Sequence, residues 1–446
     1  MSAPDATAIA SGSLGRLGLA ELSSAARRRL AHGALGTLLL ASLVFALGAA
    51  SGPSLEVPAS KFGFPEWLAG PLPDVGLAMT SARFISLLTL MALCQGLVLA
   101  LSGALRVRYA LGAIVAAHLI FTLAPPVLSP DVFGYLAYAR MGVLHDLNPY
   151  VQAPFAIPGD EVYGFVRWRT QIDPYGPLFT LVSYPLGLLS VAAGLWTSKV
   201  AAGLVSLGLV ALVWASARRL GVAPLGPTLF VGLNPFLLLY GVGGAHNDLL
   251  MMALVMLAAF FVLGRREALG GGTLVAAIAV KASAGLLLPF VVLGAVRGRR
   301  VLVGAAVAGA AVIGASLLAF GIEGAQGMLG ALGTQSEKIS SHNVPNGLGW
   351  ALGFGGVTAG VRAVAAAVLV GSLATLLVQV RRERLDWVTA AGWGMLALLV
   401  TTTWLMHWYL VWLLPLAALG RSRPLKLAAL VLPAVMVVTG LPPVPK

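Results

Sequence analysis

Apolar stretches dominate the chain, separated by short polar turns and by two longer loops. A helix that crosses a bilayer needs about 20 mostly apolar residues, because the hydrocarbon core offers no water to its backbone or side chains. On that length the sequence predicts helices at about 33–50, 82–104, 109–125, 195–217, 225–241, 248–264, 271–281, 283–296, 301–320, 357–380, 387–403, 408–420 and 425–441, about thirteen transmembrane helices in all. The pair beside Lys281 is shorter than a full span and reads as two short helices meeting at a turn near the outer surface. Small residues such as Gly304, Gly309 and Gly314 mark helix faces where backbones approach closely. Gly270, Gly271 and Gly272 read as a helix boundary, since no Lys-Ser/Thr follows at phosphate-loop spacing.

Composition agrees with the pattern. With 59% hydrophobic and 10% charged residues, and a mean hydropathy of +0.91, the chain lies outside what a soluble core and a solvated surface absorb. The expected fold is an all-α polytopic membrane protein, a single transmembrane domain over 33–446 after a polar, basic leader at 1–32. A net charge of +13 would suit nucleic acid, but the arginines stand in short runs between apolar stretches, as in Arg27, Arg28 and Arg29, Arg218 and Arg219, or Arg381 and Arg382. Such runs mark cytoplasmic helix ends. They place the N-terminus in the cytoplasm of a multi-pass protein of the cell membrane. Acidic residues gather instead in the outer loops, where topology gives them no reason to be. The first apolar stretch reads as a retained signal anchor, although the small residues from Ala46 to Ala50 resemble a cleavage site. Cys94 has no internal partner and reads as a packing or lipid-facing residue.

Two outer segments are long. In the first, 126–194, the aromatic stretch from Asp131 to Leu144 reads as an interfacial helix. The apolar piece from Leu178 to Ala192 reads as a re-entrant or surface-lying helix, because a crossing there would put Arg218 and Arg219 outside. The second, 321–356, is rich in Gly, Ser and Asn.

Asp131 carries the sharpest chemical signal. Pro125 and Pro126 end the preceding helix, so the carboxylate falls at the outer membrane boundary, where an ionisable group is costly without a task. It would act as a base toward a hydroxyl nucleophile, or cap the next helix. A departing phosphate needs cations, and Arg140, Arg167 and Arg169 are candidates, with lipid headgroups as the alternative partner. Asp173 and Tyr175 stand in a Pro-rich turn, Asp173 as a second acid or a turn cap. His246, Asn247 and Asp248 form a polar helix-to-helix turn that would meet a sugar or simply cap; the two-residue spacing argues against a metal site built from His246 and Asp248 alone. Lys281 stands alone among apolar residues and would snorkel to the outer interface or pair with an anionic lipid phosphate. His342 and Asn343 lie in a polar outer turn. Trp404 reads as part of the aromatic belt, with His407 and Tyr409 beside it as candidate donor contacts. His118 reads as a hydrogen-bonded packing residue, and the span centres carry almost no other ionisable group.

The string Asp131-Val-Phe-Gly-Tyr with Asn148-Pro-Tyr, then Pro174-Tyr-Gly-Pro-Leu178, Gly243-Gly-Ala-His-Asn-Asp248, Lys281 and Met406-His-Trp-Tyr-Leu-Val-Trp-Leu-Leu-Pro415 resembles the polyprenol-phosphate-mannose-dependent alpha-1,6-mannosyltransferases of actinobacteria, members of the GT-C superfamily. The resemblance runs in order along nearly the whole chain. It implies a GT-C-like fold and an inverting transfer of mannose from a polyprenyl-phosphate donor to a glycan or glycolipid on the outer face. In that superfamily an aspartate of the first long outer loop is the base, and Asp131 matches it by position. No cofactor is implied, and metal dependence stays open.

A transporter or flippase for a lipid-linked sugar is the rival class. Transporters hold their sites near the bilayer midplane on broken helices, whereas here the polar chemistry gathers in outer loops, which favours an enzyme. A non-catalytic assembly subunit is the third class.

Overall fold

The structure, a computed structural model, describes residues 21–53 and 63–440. Most of the predicted leader, 1–20, and residue 441 of the last predicted helix lie outside the described residues. The protein is an all-helical, multi-pass membrane protein. In order come α1 (Ser24–Ala50), α2 (Ser81–Ala100), α3 (Val107–Leu123), α4 (Asp131–Leu144), α5 (Pro177–Gly187), α6 (Val191–Arg219), α7 (Leu225–Gly232) and α8 (Asp248–Leu263). They are followed by α9 (Glu267–Val280), α10 (Leu288–Gly294), α11 (Gly298–Glu337), α12 (Val344–Ala351), α13 (Ala359–Arg381), α14 (Trp387–Thr401), α15 (Leu414–Leu419) and α16 (Arg423–Gly440). Among the described residues five helices are long and apolar enough to cross a membrane, and six if α7 and its π-helical continuation Leu237–Gly243, bent by 61°, count as one.

Helix starts are set by local chemistry. Ser23, Thr80, Ser190, Thr358 and Asp386 each accept a hydrogen bond from a backbone N–H of the helix they open, an arrangement worth about 1 kcal/mol per cap. The enclosed core is the π-helical segment and α15, whose side chains are all buried, with one face of α8 against them. The rim is α13 and the first half of α11, where residues such as Leu318 and Val370 stand exposed, as lipid-facing residues should. Backbones touch closely between α9 and α11. A Cβ on Gly271 would lie 2.0 Å from the Val301 carbonyl oxygen, and one on Gly304 would lie 1.9 Å from that of Ala268.

Several expectations need correcting. Gly270 to Gly272 lie inside α9 and serve packing, so they are not a boundary. Gly309 and Gly314 have no neighbour against the Cβ position, leaving Gly304 as the close contact of that trio. The aromatic helix α4 is packed inside the protein and not laid on its surface: Phe133, Tyr135, Leu136, Tyr138, Arg140 and Met141 are all buried. The apolar piece after Leu178 ends at Gly187, and Val191 and Ala192 already belong to α6. Much of the predicted second loop is helical, since α11 continues to Glu337 across a kink at Gly321, φ 66° and ψ −176°. Finally, the span interiors hold a second ionisable group besides His118: Lys199 is fully buried in α6. His118 itself packs as expected, bonded to Ser206 Oγ at 2.9 Å and to the Ile114 carbonyl at 2.8 Å.

Candidate active site

Two backbone limbs carry the site. The first leaves α3 at Ala124, where Pro125 and Pro126 stop the helix. It turns through Leu128 in a left-handed conformation, φ 66°, and Ser129 Oγ accepts from the Asp131 N–H at 3.1 Å. Asp131 is thereby the first residue of α4, but its side chain caps nothing. Among the described residues no group donates a hydrogen bond to its carboxylate; the nearest partner is His246 Nδ1, 3.9 Å from Oδ2.

The second limb leaves the π-helical segment at Gly243 and passes Ala245, also left-handed at φ 52°. A non-glycine residue in that region costs roughly 1–2 kcal/mol, so both limbs are strained next to the residues that matter. The limbs are tied by the Val127 N–H, which donates to the Gly243 carbonyl at 3.3 Å. His246 stacks on Trp408 with ring centroids 4.1 Å apart, and its Nδ1 is also 3.9 Å from Asp248 Oδ2. Asp248 Oδ1 accepts from Lys281 Nζ at 2.8 Å and from Trp412 Nε1 at 2.5 Å. Lys281 is thus neutralised inside the protein and lies over the rings of Tyr409 and Trp412. Both amide atoms of buried Asn247 and Nε2 of His246 lack partners among the described residues. No group of three His, Cys, Asp or Glu among those residues is placed to hold a metal ion.

The first limb opens on a cavity of about 270 Å³, whose wall includes Asp131, Tyr175, Lys281, Lys338, Trp404 and Tyr409; the second reaches that wall through Asp248, bonded to Lys281 and Trp412. Lys338, just past α11, lies between the rings of Trp168 and Trp404, 5.2 and 5.3 Å from their centroids, and donates to Gln171 Oε1 at 2.5 Å. It has no carboxylate within ion-pair distance among the described residues, in contrast to Lys281. Burial pulls its ammonium below the ordinary lysine range, while Asp131 pulls it back up. An acid that accepts nothing, a cation without a counter-ion and a wall of aromatic faces therefore share one chamber.

The family model described as alpha-(1->6)-mannopyranosyltransferase, N-terminal domain, matches residues 30–297. The chain belongs to this family. A second model, MptB C-terminal domain, matches residues 340–444, so α11 and Lys338 fall between the two matched ranges. The chain is 32% identical over 338 residues to alpha-(1->6)-mannopyranosyltransferase A of Mycobacterium tuberculosis, covering 68% of this chain and 63% of that one. It is 31% identical over 265 residues to a probable alpha-(1->6)-mannopyranosyltransferase of Mycolicibacterium smegmatis, covering 55% and 44%. To alpha-(1->6)-mannopyranosyltransferase A of Corynebacterium glutamicum it is 31% identical over 178 residues, covering 38% and 35%. The matched stretches thus span less than two thirds of each of these relatives. No solved structure matches the chain.

Within the folded chain, the residues singled out from sequence divide by position. Asp131, Tyr175, Lys281 and Tyr409 line the cavity, with His246, Asn247 and Asp248 buried directly behind it. The three arginines stand elsewhere. Arg140 is held by Asp160 at 2.8 Å and by the Leu189 carbonyl at 2.9 Å; Arg167 stacks on Trp168, and Arg169 covers Tyr163. Asp173 is enclosed in its own turn, accepting from the Tyr175 N–H and from Thr180 Oγ1, each at 2.8 Å. His342 bonds to its neighbour Ser341, Asn343 caps α12 and donates to the Thr403 carbonyl, and His407 stacks on Tyr240. Trp404 forms part of the cavity wall and packs edge-on against Trp168. Sequence reasoning passed over Lys338, Trp168 and Gln171 as cavity groups, since nothing local distinguishes a surface lysine from one carried over a cavity by a distant helix.

Proposed function

We propose that the protein is an inverting mannosyltransferase that takes mannose from a polyprenyl-phosphate donor on the outer side of the cell membrane and passes it to a glycan or glycolipid hydroxyl. The supporting observation is the Asp131 carboxylate, free of hydrogen-bond donors among the described residues, in a cavity that also presents Lys338. Asp131 accepts the proton of the acceptor hydroxyl as that oxygen attacks the anomeric carbon. The bond from that carbon to the donor phosphate breaks as the new bond forms. Lys338 offsets the charge that grows on the leaving phosphate. Displacement from the opposite face requires a β-linked donor for an α-linked product. The membrane part acts as one domain of about thirteen crossings in a GT-C-like arrangement, with its N-terminus cytoplasmic.

The bent α7 segment and the buried Lys199 are features that a transporter or flippase would also have. Lys199, however, is saturated by backbone carbonyls and does not reach the cavity. Purified protein in liposomes with labelled polyprenyl-phosphate mannose and oligomannoside acceptors separates the two readings. Labelled α-(1→6) product supports the enzyme, while movement of intact donor across the bilayer without transfer supports the rival.

A further inference from the structure

Lys199 sits about two turns into α6, fully buried. No carboxylate pairs with it among the described residues. Its ammonium instead donates to the carbonyls of Phe121 and Gly243, both at 2.7 Å, and of Val242 at 3.4 Å. A charge at this depth is costly and calls for an explanation. Its acceptors are not scattered: Phe121 is in the last turn of α3, where the Asp131 limb begins, while Val242 and Gly243 end the π-helical segment, where the His246 limb begins. Three donors therefore close on the roots of two limbs. Each limb carries one non-glycine residue in left-handed backbone, Leu128 and Ala245, and such strain persists only where surrounding contacts over-determine it.

We propose that Lys199 is a positioning residue: its ammonium clamps the two limbs and so sets Asp131 against His246 and Asp248. The proposal rests on the transferase reading for its kinetic consequence, though not for its structural one. A helix end leaves carbonyls without partners, and a cation that satisfies carbonyls from both limbs fixes their separation in a way that two independent caps would not. His118, one α-helical turn from Thr122 and bonded to Ser206, braces α3 against the same face of α6.

The test uses the full-length protein with Lys199→Met, which keeps the stem and removes the donors, and Lys199→Arg, which keeps charge and donors. Lys199→Met is expected to lower kcat at least tenfold with donor KM within about twofold, since the clamp acts on reacting groups and not on the cavity wall. Lys199→Arg is expected to retain more of kcat than Lys199→Met. Adding Ala245→Gly, which relieves the left-handed strain, should restore part of kcat in the Lys199→Met background and do little in wild type. Deuterium uptake of peptides covering 124–131 and 241–248 is read in parallel and needs no turnover, so it stands even if mannose transfer fails. Faster uptake in both limbs of Lys199→Met, with α9 and α13 unchanged, supports the clamp. Wild-type uptake in both limbs overturns it, as does additivity of the two substitutions in kcat. If Lys199→Met does not fold, Lys199→Arg carries the uptake test, and loss of protection confined to α6 then counts against the clamp.

Discussion

Asp131 and Asp173 are both buried aspartates of the first long loop, and their hydrogen bonds separate their roles. Asp173 accepts from two donors and closes a turn; Asp131 accepts from none among the described residues and faces the cavity. Burial raises the Asp173 carboxyl to about 7 despite the Tyr175 N–H and the Thr180 hydroxyl. Because this folded value exceeds the unfolded one, Asp173 costs no stability in acid, where both states hold the proton. The cost grows as pH rises from about 4 and levels off above about 7. Asp173→Asn, which keeps an acceptor for the turn, is expected to flatten that slope, giving a Tm that varies less across this window than in wild type. At Lys338 the expectation is kinetic. Lys338→Met should raise donor KM by about tenfold or more through the lost charge-assisted contact, with Lys338→Arg closer to wild type in the same assay. The arginines show why sequence spacing misplaced the phosphate cations: Arg140 finds Asp160 twenty positions on, a pairing that no local motif announces.

Among the elements, α11 does most to build the cavity that the sequence did not reveal. Its first half is an exposed, lipid-facing helix, and after Gly321 the chain turns and carries Gln335 and Lys338 to the cavity wall. Arg362 of α13 secures the far end, donating to the carbonyls of Ser336 at 2.6 Å and Glu337 at 2.9 Å. The Gly321 backbone lies in a region that is essentially glycine's alone. No neighbour stands against its Cβ position, so the effect of substitution is conformational and not steric. Gly321→Ala is expected to cost about 1–3 kcal/mol and to raise donor KM, checked by thermal unfolding alongside kinetics. Helix positions were legible because an apolar run of sufficient length has few other fates in lipid. The arm at 322–337 was not, because its Gly, Ser and Gln content matches a loop and its docking partners, Asn148 and Tyr150, lie far back in the chain.

At the scale of the molecule, the charge pattern predicts which end of the bundle faces outward, and the cavity lies at the end opposite the arginine runs. With buried Cys94 replaced by Ala, Gln152→Cys, on the exposed first loop, is expected to react with a membrane-impermeant maleimide in intact cells. Arg299→Cys, in the basic run that opens α11, should react only after permeabilisation. The reverse pattern would turn the cavity toward the cytoplasm and remove the proposed donor supply. Tertiary convergence itself was only half visible. Asp131, His246, Asp248 and Lys281 were each singled out from sequence, yet the Lys281–Asp248 pair and the equal 3.9 Å approaches of His246 to both aspartates exist only in the folded chain. The most direct measurement is transfer by purified Asp131→Asn, with donor binding followed in the same preparation. A fall in kcat of about 10²-fold or more with donor affinity near wild type is the predicted result, and transfer at the wild-type rate would contradict the assignment of Asp131 as the base.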